Sequence, residues 1–133
     1  MRTKEKDSFS LKREEFEAVA QEVFDSLPEP FGRTIDNVQI VVEDVPDAHV
    51  MQKTRIQSPS MLLGLYEGIP LNKRGSAYGA YPTVPDKITL YQRNIEFVAR
   101  TDAAIRAKIR EVLIHEIAHY FGMNEEEVRN AGY

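Results

Sequence analysis

His115, Glu116 and His119 stand in the pattern H-E-x-x-H near the end of a 133-residue chain. On a helix, residues four apart lie one above the other, so two imidazoles can be offered to one metal ion. Glu116 falls beside them within a polar arc of roughly 100°. That spacing suits a zinc ion, with the carboxylate acting on a zinc-bound water. The same three residues could instead form a solvated polar stripe or a His–Glu hydrogen-bond cluster. Their neighbours bear on the choice. Leu113, Ile114, Ile117, Ala118, Tyr120 and Phe121 cover the rest of the same two turns, so the helix is expected to be buried. Two histidines and a carboxylate in a buried helix need partners, and a metal ion with its water would serve.

The residues after the motif extend the ligand set. Gly122 allows the chain to reverse, which returns Glu125 toward the imidazoles. His115, His119 and Glu125 then supply three protein ligands and leave one position open, as in catalytic rather than structural zinc sites. Zinc lowers the pKa of a bound water to around 7. Glu116 takes its proton as general base and passes it to the leaving amine. The reaction class is hydrolysis of an amide or peptide bond. The three consecutive glutamates divide their work: Glu125, at the first helical position, faces the zinc, Glu126 is solvated, and Glu127 pairs with Asn124 in a capping box. For the transition-state electrophile the chain offers Tyr133, Arg129, Tyr81 and His49.

The rest of the chain must position these groups. Ser10 can cap a first helix whose buried stripe is Phe16, Val19, Ala20, Val23, Phe24 and Leu27, ended by Pro28 and Pro30. Residues 38–43 alternate as a strand that buries Val38, Ile40 and Val42. His49 follows in an irregular stretch running to Pro59. A second strand lies in Met61 to Leu71, around Leu62-Leu63-Gly64-Leu65-Tyr66. A long loop occupies 72–86, and loops of that length are often functional. Lys87 to Tyr91 is a third strand, 92–99 a short helix, and Thr101 or Asp102 caps the long helix to Phe121. Ile105, Ile109 and Val112 form the first apolar face of that helix, with Arg106, Lys108 and Arg110 solvated. A last short helix runs toward Tyr133.

Composition limits the function classes. The net charge of −4 argues against a general nucleic-acid binder. With no cysteine there is neither a disulfide nor a thiolate metal site. No apolar run approaches a membrane span, and the charged start Met-Arg-Thr-Lys-Glu-Lys-Asp is no signal peptide, so a cytoplasmic location is expected. Residues 1–9 read as a disordered tail and 10–133 as a single domain.

Several separated blocks carry a resemblance. Leu27-Pro28, Asp36-Asn37-Val38 through Val42-Glu43-Asp44 and Pro46, Leu62 to Gly68, Pro70-Leu71, Ile88 to Tyr91 and His115 to Gly122 occur in one order. In these the chain, over roughly 14–133, resembles the small bacterial minimal zincins, assigned as zinc metallopeptidases with the pattern HExxHxxGxxD or HExxHxxGxxE. The family usually has Asp where this chain has Glu125. The resemblance implies an α+β fold, in which a small mixed β-sheet packs against an N-terminal helix and the long motif helix. The strand around Leu62 to Tyr66 is expected at the sheet edge beside the zinc, where a peptide or protein substrate can add along Leu63, Gly64 and Leu65, with Tyr133 a further candidate substrate contact. The chain departs from larger metzincins, which place a His at the position of Glu125 and a Met-turn beyond it. Two functions are therefore weighed: a zinc-dependent metallopeptidase with Glu116 as base, and a catalytically silent zincin-like protein that binds a peptide or protein partner. Neither nucleic acid nor membrane is an expected partner, and no pattern sets an oligomeric state.

Overall fold

Phe16, Val19, Ala20 and Val23 recur at helical spacing and all four are buried on the first helix, α1 (Arg13–Asp25). In this computed structural model the described residues are 10–28, 38–54, 58, 60, 62–68 and 86–132. The expected tail at 1–9, Pro30, most of the 72–86 loop with Tyr81, and Tyr133 lie outside them.

The start of α1 differs from the sequence expectation. Lys12, not Ser10, is the N-cap. Its backbone N–H donates to the Glu15 carboxylate at 3.0 Å, which satisfies one of the amides that a helix start leaves without a partner. The Leu11 N–H donates to Glu96 at 2.9 Å, while the Ser10 hydroxyl donates to the Leu11 carbonyl instead. A tertiary contact thus holds the entering chain outside the helix.

Three strands follow: β1 (Val38–Glu43), β2 (Gly64–Glu67) and β3 (Asp86–Tyr91). They form one sheet in the order β1-β3-β2. β1 runs parallel to β3, with Val38 opposite Asp86, and β2 runs antiparallel, with Gly64 opposite Leu90. The sheet is therefore mixed. Central β3 is buried on both faces: Ile88 and Leu90 enter the main core, and Thr89 and Tyr91 are 4% and 3% exposed on the other side. In β1, Val42 is buried, with Val38 and Ile40 packed on the same core.

One helix had no counterpart in the sequence reading. Residues Ala48–Thr54 form α2, so His49 is helical rather than in an irregular stretch. Asp47 starts the helix: its side chain accepts from the Val50 N–H at 2.9 Å, and its carbonyl accepts from Met51. An Asp immediately before a seven-residue helix was a readable capping signal. The short helix α3 (Gln92–Val98) follows β3 directly, and α4 (Asp102–Tyr120) and α5 (Glu125–Asn130) close the chain. α4 packs against α1, α3, α5, β2 and β3. Among the described residues, five helices and a three-stranded mixed sheet make a small α+β fold, in agreement with the expected class. No helix among the described residues is long and apolar enough to cross a membrane.

Candidate metal centre and cleft

α4 begins at Thr101, whose hydroxyl accepts from the Ala104 N–H at 3.1 Å. Through Asp102–Glu111 it buries chiefly Ile105 and Ile109. From Val112 onward it is buried on nearly every side, with His115 and His119 only partly so. The two imidazole centroids are 5.1 Å apart. Glu116 is 9% exposed.

The end of α4 sets the rest of the centre. Gly122 has φ +94°, a left-handed conformation that a Cβ would strain. Its N–H donates to the His119 carbonyl at 2.9 Å, and the Met123 N–H reaches back to the Ala118 carbonyl at 3.0 Å. This pair of bonds is a Schellman ending. It carries the Met123 carbonyl onto the His119 ring, where Nδ1–H donates to it at 2.8 Å. Asn124 then caps α5, its side chain accepting from the Glu127 N–H at 2.8 Å while Glu127 accepts from the Asn124 N–H at 2.8 Å. The expected capping box is present, and it brings Glu125 to the first position of α5. The Glu125 carboxylate lies 2.9 Å from His119 Nε2 and 3.1 Å from His115 Nε2.

These contacts test whether a zinc ion suits the donors. His119 Nδ1 carries its proton to a carbonyl, so a neutral ring has a bare lone pair at Nε2. That lone pair faces a carboxylate oxygen, which is also an acceptor. A cation, either a proton or a metal ion, must lie between them. Ligands at about 2.0–2.1 Å around a tetrahedral zinc stand roughly 3.3 Å from each other, close to the nitrogen–oxygen separations here. The orienting bond on Nδ1 is the kind that fixes a metal-binding histidine. The donor set fits zinc. Partial burial raises the Glu125 pKa, but the hydrogen bonds from His115 and His119 outweigh that and leave it below the ordinary carboxylate range.

Glu116 sits in the same group: one ligand atom each from His115, Glu116 and His119 lie within 4.8 Å of one another. Its carboxylate is held elsewhere, however, accepting the Tyr66 N–H of β2 at 2.9 Å. Burial raises its pKa, while the two imidazoles and that N–H pull the other way. Of the two carboxylates, Glu125 bridges the imidazoles directly and Glu116 leans on the sheet.

A family model described as zincin-like metallopeptidase matches residues 35–133, which take in the motif, the turn and all three strands. The chain belongs to the zincin-like metallopeptidase family. No curated protein matches it closely.

In this zincin-like chain the cluster of imidazoles and carboxylates borders a cleft of about 250 Å³. The cleft is lined by Leu62, Leu63 and Gly64, by Glu111 and Val112 of α4, and by His115, Glu116 and Glu125. Gly64 permits the close approach of strand to helix: a Cβ there would lie 2.5 Å from Val112 Cγ1 and 3.2 Å from the Thr89 carbonyl oxygen. Of the residues expected to meet a substrate, Leu63 and Gly64 line the cleft. Leu65 does not line it. Tyr133 lies outside the described residues. His49 lines a separate hollow with Glu43, Asp47, Glu67 and Tyr91. Leu62, Glu111 and Val112 also line the cleft, beyond the residues expected from the sequence to meet a substrate. Glu111 could have been found, because it stands one helical step of four before His115.

Proposed function

We propose that this zincin-like protein is a zinc-dependent peptidase. The reading rests above all on the convergence of His115, His119 and Glu125 on one point, with a second, buried carboxylate beside them. His115 Nε2, His119 Nε2 and Glu125 would hold the metal. Zinc, when bound, supplies the Lewis acidity that makes water a usable nucleophile at neutral pH. Glu116 takes the proton of the attacking water and returns it to the leaving amine. The Tyr66 N–H orients one Glu116 oxygen, leaving the other to carry the proton. The Met123 carbonyl keeps the His119 ring turned toward Glu125.

The substrate backbone lies along β2. Among the described residues this strand is at the outside of the sheet. The Tyr91 N–H donates to the Leu63 carbonyl at 3.0 Å, so alternate residues from Leu63 turn their backbone groups toward β3. Gly64 faces the open edge, where an extended peptide can add.

Zinc content and peptide cleavage, measured together, test the mechanism. Glu116→Gln should bind zinc like the parent while cleavage of a mixed peptide library falls by at least about a hundredfold. His119→Ala should lose both. Zinc should raise the Tm of the parent and of Glu116→Gln but not of His119→Ala. Cleavage by Glu116→Gln at the parent rate would end this reading.

A further inference from the structure

We propose that Glu111 selects substrates with a basic side chain, arginine or lysine, by receiving it in the cleft beside the metal centre. The proposal rests on the peptidase reading above and names the substrate class of that site. Glu111 and His115 are four residues apart, so they share one face of α4. Glu111 therefore stands roughly 6 Å along the axis before the imidazole, and it lines the same 250 Å³ cleft. His115, Glu116 and Glu125 are occupied with metal and proton. What the cleft leaves for a substrate side chain is an apolar wall, Leu62, Leu63 and Val112, and one carboxylate, Glu111.

That combination matches a long side chain with an apolar stem and a cationic tip. Methylenes lie against the leucines and the cation meets Glu111. An acidic side chain would face the Glu111 carboxylate, which like-charge repulsion opposes. A peptide extended along β2 turns alternate side chains to opposite faces, so one of them is directed toward α4. Glu111 already has a partner, Lys108 Nζ at 3.0 Å, with the Glu111 side chain 62% exposed. Exposed pairs of this kind contribute little, and an incoming cation can replace Lys108 at small cost.

Binding rather than turnover provides the test. Zinc-loaded Glu116→Gln is titrated, by fluorescence anisotropy, with extended peptides that differ only in one Arg, Leu or Glu moved along an otherwise neutral chain. At one register Arg should bind about fivefold tighter than Leu and about tenfold tighter than Glu, the scale of a partly exposed charge pair. Adding Glu111→Gln should bring Arg to the Leu level and leave Leu unchanged. Adding Lys108→Ala should widen the Arg preference. Equal affinities at every register, a preference that survives Glu111→Gln, or no peptide binding at all would each overturn the proposal. The parent enzyme, run on the same peptides, separates the two readings. Cleavage without an Arg preference defeats only the selectivity, whereas an Arg preference in binding with no cleavage defeats only the peptidase.

Discussion

Residues 102–111 and 112–120 belong to one unbroken helix, yet the two halves meet different surroundings. Ala107 and Ala118 stand eleven positions apart, which is about 20° of rotation after three turns. They point in nearly the same direction. Ala107 is exposed, while Ala118 is 1% exposed. Arg106 and Ile117 repeat the contrast. Arg106 pairs at the surface with Glu22 of α1 and with Asp102, and Ile117 is fully buried. Helical periodicity fixes the direction of a side chain but not its depth. Depth comes from what packs at each level. The first half has α1 along one side; the second has β2 close enough for Gly64 to face Val112, and Tyr66 to reach Glu116 and Tyr120. A polar group in the second half must therefore be paired. Glu116, His115 and His119 are paired by the Tyr66 N–H, the Met123 carbonyl and the Glu125 carboxylate.

The contrast can be broken by substitution. Ile117→Ala should cost about 2–5 kcal/mol of stability, as a cavity in a tightly packed region does, and chemical denaturation would measure it. Glu125→Ala should weaken zinc binding by more than about a hundredfold, beyond what loss of an outer orienting partner costs; competition with a metal chelator reads this. Ala118→Leu should destabilise by about 1–3 kcal/mol through overpacking, whereas Ala107→Leu should stay within about 0.5 kcal/mol of the parent. Equal costs at the two alanines would show that the halves do not differ as described. Glu127→Ala should lose about 0.5–1 kcal/mol from the capping box with zinc affinity nearly unchanged, and Glu126→Ala should alter neither. If Glu127→Ala were the variant that lost zinc, the third ligand would have to be moved. Arg106→Ala, at the exposed end of the comparison, should give no resolvable change in Tm, because its ion pairs are at the surface.

How much of this was legible depended on the range of the interactions. The stripe of α1 and the shared face of Val38, Ile40 and Val42 in β1 were readable because burial imposes a period on the chain itself. The capping box of Asn124 and Glu127 was equally local. The cap at Asp47 was just as local and would have announced α2. The start of α1 was misplaced because Leu11 is held by Glu96, 85 positions away. Arg13 likewise reaches Gln92 and the Val42 carbonyl, and no pattern near Arg13 announces those partners.

The centre itself divides along the same line. Two imidazoles on one helical face, a glycine where the chain must turn left-handed and a carboxylate three residues later all follow from bond geometry within eleven consecutive residues, His115 to Glu125. The sequence by itself could therefore bring the two imidazoles and the Glu125 carboxylate together. It could not join Glu116 to the Tyr66 N–H, fifty positions earlier, or open the cleft between Leu62 and Glu111. Those depend on β2 packing across α4 at Gly64, where strand and helix come so close that a single Cβ would collide. Contacts within one turn are dictated by the backbone, whereas contacts between distant segments exist only once the core has decided which surfaces meet.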